Sequence, residues 1–265
     1  MAAIRVALTG VTGKMGREVL LALCKDPDVE PVGAVSRTIL GPIPLPIRAG
    51  SIPCAKDPAG LFDEVKPDVL VDFTNVEYAM AAAREAVRRG IRPVIGTSGL
   101  RSEHVAELAD LCKSAGVGGV FAANFALGGV IMMHLANLAA RYFEYAEILE
   151  MHHEAKADAP SGTAIATAKA MAQARGRPFK APQPEKVTIP GSRGAEVDGI
   201  PLHSLRLPGL LAHQEVVLGA AGQTLRIRHD TISRECYMPG VLLAVKEVMK
   251  RNELIVGLDR LLGLE

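Results

Sequence analysis

Tryptophan is absent from this chain and only 4% of its residues are aromatic, so there is little from which to build the ring platforms that stack bases. Blocks of like charge are also missing: 30 basic and 29 acidic residues leave a formal charge of +1. Neither a nucleic-acid footprint nor a basic membrane-surface patch is supported, and no partner of either kind is expected. No apolar run reaches the length that a bilayer span needs. The opening Met1-Ala-Ala-Ile-Arg5 runs straight into an apolar strand without the basic start, apolar stretch and small-residue cleavage site of a signal peptide. Cys24, Cys54, Cys112 and Cys236 form no C-x-x-C pair. Free thiols in a reducing compartment are the plain reading, and the expected location is the cytoplasm.

What the chain does have is a change of pattern near its middle. In the first half, short apolar runs alternate with helical spacing: strands at 4–8, 32–35, 68–73, 93–95 and 119–122, and helices at 15–25, 76–89 and 103–115. Gly90 stands where a helix C-terminus needs a left-handed residue. Such alternation implies a parallel sheet covered on both faces. Between Ile39 and Pro58 lies a Pro- and Gly-rich stretch without periodicity, a loop long enough to suggest a functional role near a cofactor. The second half gives a strand at 147–151, an Ala-rich helix at 163–175 stopped by Gly176, and three strands in succession at 200–207, 215–218 and 224–229. A final helix at 241–251 follows. The expected fold class is α/β, a Rossmann-like dinucleotide-binding domain, with a second, α+β domain carrying a mixed or antiparallel sheet.

Gly10-Val-Thr-Gly13-Lys-Met-Gly16 falls between the first strand and the first helix. There a dinucleotide fold needs glycines for a tight turn, close backbone approach and helix–sheet packing, with the pyrophosphate held on backbone N–H groups. G-x-x-G-x-x-G is weak evidence by itself, because Gly also marks ordinary turns; its position in a βαβ context strengthens it. A Walker loop is excluded, since Lys14 is followed by Met15 rather than Ser or Thr. The ribose-reading position at the end of the second strand is Ser36-Arg37-Thr38, with no acid. A carboxylate there would bond ribose hydroxyls and repel a 2′-phosphate, whereas a hydroxyl beside an Arg suits the phosphate. The competing reading makes Arg37 an ordinary solvated loop charge.

The stretch Glu150-Met-His152-His153-Glu-Ala-Lys156-Ala-Asp158-Ala-Pro-Ser161-Gly162-Thr163-Ala164 carries the most chemistry. A strand delivers two histidines and a lysine into a loop that ends where a helix begins. Ser161 is a candidate N-cap, and the N–H groups of Gly162 and Thr163 suit a substrate carboxylate. Lys can give up a proton, and His can act near neutral pH. A zinc site is disfavoured because no Cys or acidic partner has ligand spacing, and no metal is expected. An incidental surface loop is the other bland alternative.

Taken together with Val71-Asp-Phe-Thr74, Gly96-Thr-Ser-Gly99 and Phe121-Ala-Ala-Asn-Phe125, these motifs make the chain resemble the dihydrodipicolinate (4-hydroxy-tetrahydrodipicolinate) reductase family from the glycine loop to the final helix. The resemblance implies a dinucleotide-binding domain from residues 1–125 plus 235–265. It implies a substrate-binding and tetramerising domain from 126–234. It also implies an NAD(P)H-dependent reduction, with loss of water, of a small cyclic imine dicarboxylate on the diaminopimelate route to lysine. Carried over by position, Gly10, Val11, Thr12, Gly13, Lys14 and Met15 would hold the pyrophosphate. Gly96, Thr97, Ser98, Ala122, Ala123, Asn124 and Phe125 would line the nicotinamide side. His152 and Lys156 would serve proton transfer, with Lys156 the favoured donor. His153, Gly162 and Thr163 would contact substrate carboxylate. Many members have an acid where Ser36 stands; its loss beside Arg37 tilts the expectation toward NADPH, with NADH as the alternative. A homotetramer is expected.

Two rival readings compete with this one. A short-chain-type dehydrogenase needs Tyr-x-x-x-Lys, but Tyr78, Tyr142, Tyr145 and Tyr237 are followed four positions on by Ala82, Ala146, Leu149 and Val241. A nucleotide-binding sensor without chemistry would keep the glycine loop, with no reason to retain His152, Lys156 and Ser161-Gly-Thr163 together. His203, His213 and His229 receive no role beyond packing or interface contacts.

Overall fold

A computed structural model describes residues 2–39 and 41–264. In chain order the first elements are β1 (Ile4–Thr9), α1 (Lys14–Lys25), β2 (Val29–Val35), β3 (Ile43–Pro44), β4 (Ser51–Ile52), β5 (Cys54–Ala55), α2 (Pro58–Val65), β6 (Val69–Asp72), α3 (Val76–Arg88), β7 (Arg92–Ile95), α4 (Ser102–Ala115) and β8 (Gly119–Phe121). Then come α5 (Leu127–Ala140), β9 (Tyr145–His152), α6 (Gly162–Arg175), β10 (Ala195–Val197), β11 (Ile200–Arg206), β12 (Ala212–Ala220) and β13 (Gln223–Thr231). After a 3-10 turn at Arg234–Tyr237, the chain ends with α7 (Met238–Val248), β14 (Leu254–Val256) and α8 (Leu258–Leu262). Two compact units result, residues 1–127 with 237–265 and residues 128–236.

The first unit is a seven-stranded sheet in the order β14-β8-β7-β6-β1-β2-β5, and each pair in it is parallel. Strands of a parallel sheet covered on both faces read as continuous apolar runs, and all four residues of β6 are accordingly buried. Helix starts are set locally. Asp57 accepts bonds from the N–H groups of Ala59 and Gly60, with Pro58 in the first turn, and Asn75 accepts from Tyr78 N–H. Helix α3 gives way at Gly90, whose φ is 73°. Lys246 of α7 reaches Asp26 and Asp28 at 2.8 and 2.7 Å, tying that helix to the approach to β2.

The chain leaves β1 for β2 on one side and returns to β6 on the other, which is the switch point where open α/β sheets bind ligands. Here the carboxylate of Asp72, fully buried, ties together the ends of three strands. It accepts bonds from the hydroxyls of Thr9 at the end of β1, Thr97 after β7 (2.5 Å) and Thr74 after β6 (2.8 Å). Thr97 Oγ1 in turn accepts the Thr74 N–H at 2.7 Å.

The second unit is a mixed five-stranded sheet in the order β10-β11-β9-β12-β13, with β9 and β11 parallel and the other pairs antiparallel. Ala136, Ala140, Ala164, Ala168 and Met171 of α5 and α6 pack against Ile148, Ile200, Leu202, Val216 and Leu218. Small alanines let the helices lie close to the sheet. The opposite face carries polar pairs instead: Glu147 bonds His203 at 2.8 Å and pairs with Arg193, while Glu215 faces Arg226 and Arg228.

The alternating elements of the sequence reading all occur, with shifted ends. Helix α7 begins at Met238 rather than 241 and stops at Val248. Helices α2 and α5 were not anticipated. The first is a short element capped by Asp57 immediately after the Pro-rich stretch, and the second is so uniformly apolar that it gives no amphipathic period. The 39–58 stretch holds the short strands β3, β4 and β5.

Losing the Asp72 carboxylate removes the acceptor shared by the Thr9, Thr74 and Thr97 hydroxyls, two of them on buried residues. Asp72→Ala is expected to lower the unfolding free energy by about 2–3 kcal/mol, measured by urea denaturation. A loss under about 0.5 kcal/mol would mean that the strand ends are held by their backbone bonds alone.

Candidate functional site

The two units carry different residues of interest, and each candidate site is built locally within its own unit. In the first, the turn after β1 closes with Gly13 N–H donating to Gly10 C=O at 2.9 Å. Gly10 has φ +74°, and a Cβ there would lie 2.7 Å from Phe73 O. A Cβ on Gly16 would lie 2.1 Å from Gly10 O, so α1 can start this close to the loop only with glycine. Gly13 is the N-cap of α1 and no side chain caps that helix. Its first N–H groups are therefore open to an anion. Val11 points into the core, Thr12 and Met15 are half-buried, and Gly13 and Lys14 are exposed.

A pocket of about 220 Å³ extends from this turn, lined by Gly10, Thr12, Gly13, Ser36, Arg37, Thr38, Phe73, Thr74, Asn75 and Tyr78 among others. Ser36 is buried, and its Oγ accepts the N–H groups of Thr38 and Ile39, each at 3.2 Å, which shapes the turn after β2. Arg37 is exposed and its guanidinium lies 5.8 Å from the Tyr78 ring centre. The glycine cradle and the cationic turn fit a dinucleotide: there is room for backbone approach at one end and a charge for phosphate at the other. The Thr97 side chain is committed to Asp72, whereas Ser98 is exposed. Ala122 and Phe125 are buried, Ala123 is exposed, and Asn124 Oδ1 accepts the Ala126 N–H at 2.9 Å. Phe125 meets Phe73 edge to face at 5.7 Å. The structure thus brings Gly10, Thr12, Gly13, Ser36 and Arg37 round one pocket, which Val11, Lys14 and Met15 do not line, while 96–98 and 122–125 lie at the C-terminal ends of β7 and β8.

In the second unit, β9 ends at His152, and α6 begins ten residues later. Ser161 caps the helix, its Oγ accepting Ala164 N–H at 3.2 Å. The N–H groups of Gly162 and Thr163 have no partner within the helix. Both residues are exposed, and the space beside Gly162 Cα is open within 4 Å. Lys156 Nζ donates to Asp158 Oδ1 at 2.5 Å and keeps 22% of its side-chain surface exposed. That pairing holds the Asp158 carboxyl below its ordinary value. His153 is half-buried, and its carbonyl accepts the Lys156 N–H at 3.2 Å. All five residues expected here lie along one short segment, from the end of β9 to the first turn of α6.

Beneath them is a charge cluster that the sequence reading did not assign. Glu150 is fully buried, and it accepts a two-pronged bond from Arg206 at 2.7 and 2.9 Å, the Ser161 N–H at 3.1 Å, and faces His152 Nδ1 at 2.6 Å. Burial alone would raise its pKa, but the bonds from Arg206 and its other neighbours hold it below the ordinary carboxylate range. Burial of the His152 ring, helped by the charges of Lys156 and Arg206, outweighs Glu150 and keeps that imidazole below its ordinary value. A signal for the cluster was present. Residues 146, 148 and 150 alternate onto the buried face of β9, and a Glu in that series requires a charged partner.

Family models match both units of the chain. The model for the dihydrodipicolinate reductase N-terminus matches residues 4–125, and the model for its C-terminus matches residues 128–262. This chain belongs to the dihydrodipicolinate reductase family. Members of that family are NAD(P)-dependent oxidoreductases. A relative from Dehalococcoides mccartyi named 4-hydroxy-tetrahydrodipicolinate reductase is 50% identical over 265 residues, covering 100% of both chains. One of the same name from Moorella thermoacetica is 47% identical over 266 residues, covering 99% of each. Among solved structures, the dipicolinate-bound dihydrodipicolinate reductase from Paenisporosarcina sp. TG-14 superposes with a TM-score of 0.87 at 39% identity, covering 97% of this chain and 99% of that one. The amine dehydrogenase of Mycobacterium smegmatis, at 17% identity and a TM-score of 0.67, shares the fold.

The cap on α6 is testable apart from any activity. Ser161→Ala removes one side-chain acceptor and leaves the Ser161 N–H bond to Glu150 in place. A loss of about 1 kcal/mol in unfolding free energy is expected by chemical denaturation. No measurable loss would show that the hydroxyl does not hold the first turn.

Proposed function

We infer that this chain catalyses the NAD(P)H-dependent reduction of 4-hydroxy-2,3,4,5-tetrahydrodipicolinate to 2,3,4,5-tetrahydrodipicolinate with loss of water, in lysine biosynthesis through diaminopimelate. The observation that carries the reading is the segment from His152 to Thr163: a lysine, two histidines and a free helix N-terminus, in a chain matched along its length by this family. One hydride and one proton enter and one water leaves. When bound, the nicotinamide supplies the hydride. The chain's residues do the rest. Gly10 to Met15 receive the pyrophosphate on backbone N–H groups, and the 96–98 and 122–125 turns flank the nicotinamide. The N–H groups of Gly162 and Thr163, with His153, hold a substrate carboxylate. Lys156 donates the proton and His152 assists it. The assigning assay couples the purified protein to the synthase that makes the imine. Cofactor absorbance should fall only when the synthase product is present; no turnover with either nicotinamide cofactor would remove the assignment.

We place the protein in the cytoplasm as a homotetramer. Four free thiols and the absence, among the described residues, of any helix long and apolar enough to cross a membrane support the first. Support for the second is the sheet face of the second unit opposite α5 and α6, where Leu149, Leu205 and Val217 lie among the charged residues Glu147, Glu215 and Arg228.

If Lys156 delivers the proton, Lys156→Ala should lower kcat by about 10²–10⁴-fold while NADPH affinity stays near that of the parent. A raised KM for the imine with kcat intact would instead make Lys156 a carboxylate anchor.

NADPH is the preferred cofactor in this reading, because Arg37 can bond a 2′-phosphate and no acid at position 36 repels it. Charge-assisted bonds contribute about 1.5–3 kcal/mol, and Arg37 is exposed, so the preference in kcat/KM should be about tenfold. Ser36→Glu with Arg37→Ala should reverse it without moving the imine KM. Equal kcat/KM for the two cofactors in the parent would contradict this account of the turn after β2.

A further inference from the structure

Glu150 is charged, fully buried and has no part in the roles above, yet it touches both ends of the proposed substrate segment. Its Oε1 accepts from Ser161 N–H and Arg206 Nη2, and its Oε2 accepts from Arg206 Nη1 and lies 2.6 Å from His152 Nδ1. Arg206 Nη2 also donates to Asp158 C=O at 2.7 Å, so the guanidinium braces the loop between them. An ionised carboxylate can only accept. The short contact therefore requires the proton on Nδ1 of His152, and in the neutral ring that leaves a lone pair on Nε2. Burial of the imidazole disfavours its charged form.

We propose that Glu150, fixed by its two-pronged pair with Arg206, is a positioning residue that locks His152 in the Nδ1–H tautomer, so that Nε2 can accept a hydrogen bond but not give one. His152 then orients a donor, such as the ammonium of Lys156 or a hydroxyl of the substrate, and the proton comes from Lys156. The same carboxylate holds Ser161 N–H, and so the cap of α6. Tautomer and carboxylate-binding turn are thus set by one buried group, and neither is free to vary without the other. This inference rests on the functional reading above for the identity of the reaction; the tautomer does not depend on it.

The test uses the full-length protein labelled with ¹⁵N-histidine. Two-bond ¹H–¹⁵N correlations of the imidazoles at pH 7.5 should show His152, identified by the signals lost in His152→Asn, with Nδ1 protonated and Nε2 bare. In Glu150→Gln no orientation of the amide accepts from every donor around it, so the fixed tautomer should be lost. The kcat should fall about 10–100-fold, the effect typical of removing an outer carboxylate that orients a histidine, while the NADPH dissociation constant stays within twofold. A purely structural Glu150 would leave the tautomer unchanged. Should the single variant fail to fold because Arg206 is left unpaired, Glu150→Gln with Arg206→Gln removes both charges and is expected to lose the tautomer likewise. An Nε2–H tautomer in the parent, or a Glu150→Gln protein that keeps both the tautomer and kcat, overturns the proposal. Absence of imine turnover in a parent protein with the Nδ1–H tautomer would sink the functional reading alone.

Discussion

The first N–H groups of an α-helix have no partner within it, and both halves of the chemistry assigned to this chain lean on that constraint. In one unit the open turn is the start of α1, after Gly13; in the other it is the start of α6, after Ser161. Each concentrates the positive end of a helix dipole where the proposed function puts an anion: a pyrophosphate in the first case, a substrate carboxylate in the second. The two starts differ in how they are kept. Helix α1 has no side-chain cap and depends on two glycines whose absent Cβ atoms let backbone meet backbone, Gly16 against Gly10 and Gly10 against Phe73. Helix α6 has a serine cap, which satisfies Ala164 N–H and leaves the two preceding N–H groups for a ligand.

Close to each open turn lies a buried carboxylate at the end of a strand. Asp72 gathers hydroxyls at the ends of β1, β6 and β7, and Glu150 gathers Arg206, His152 and the N–H that precedes α6. A buried charge is costly unless it is fully paired, so each of these groups stays in place only while its whole set of partners does. That makes the geometry of the loops cooperative. The partners differ in kind: Asp72 is held by neutral hydroxyls and acts as a clamp, whereas Glu150 has a guanidinium and an imidazole beside it and also decides where a proton sits.

Much of this could be read from the amino-acid order because the physical signals are local. The alternation of apolar runs with helical spacing reports a parallel sheet wherever both faces are covered, and β1, β2, β6, β7 and β8 were visible on that ground. Gly10, Gly13 and Gly16 could be assigned to a phosphate turn, and Ser161 to a cap, because such roles depend on the residue and its immediate neighbours. What escaped depends on distant partners. Helix α5 is apolar on nearly every side and shows no period, and α2 is a single short element. Arg206 meets Glu150 only because β11 pairs with β9 in the register Arg206↔His152, and the inward-facing Thr97 hydroxyl follows from β6 and β7 lying side by side. The assignment of 96–98 and 122–125 to the nicotinamide side, and of His153 to a substrate carboxylate, rested on the family resemblance rather than on spacing.

Delivery of hydride from the cofactor to the imine ring is tested most directly by isotope tracing. The purified protein is given NADPH carrying deuterium at both C4 positions, together with synthase-generated imine, and the reduced product is weighed by mass spectrometry. One deuterium bound to ring carbon in each product molecule is the predicted result. Product formed without deuterium, or deuterated cofactor left unconsumed beside intact imine, would contradict hydride transfer by this chain.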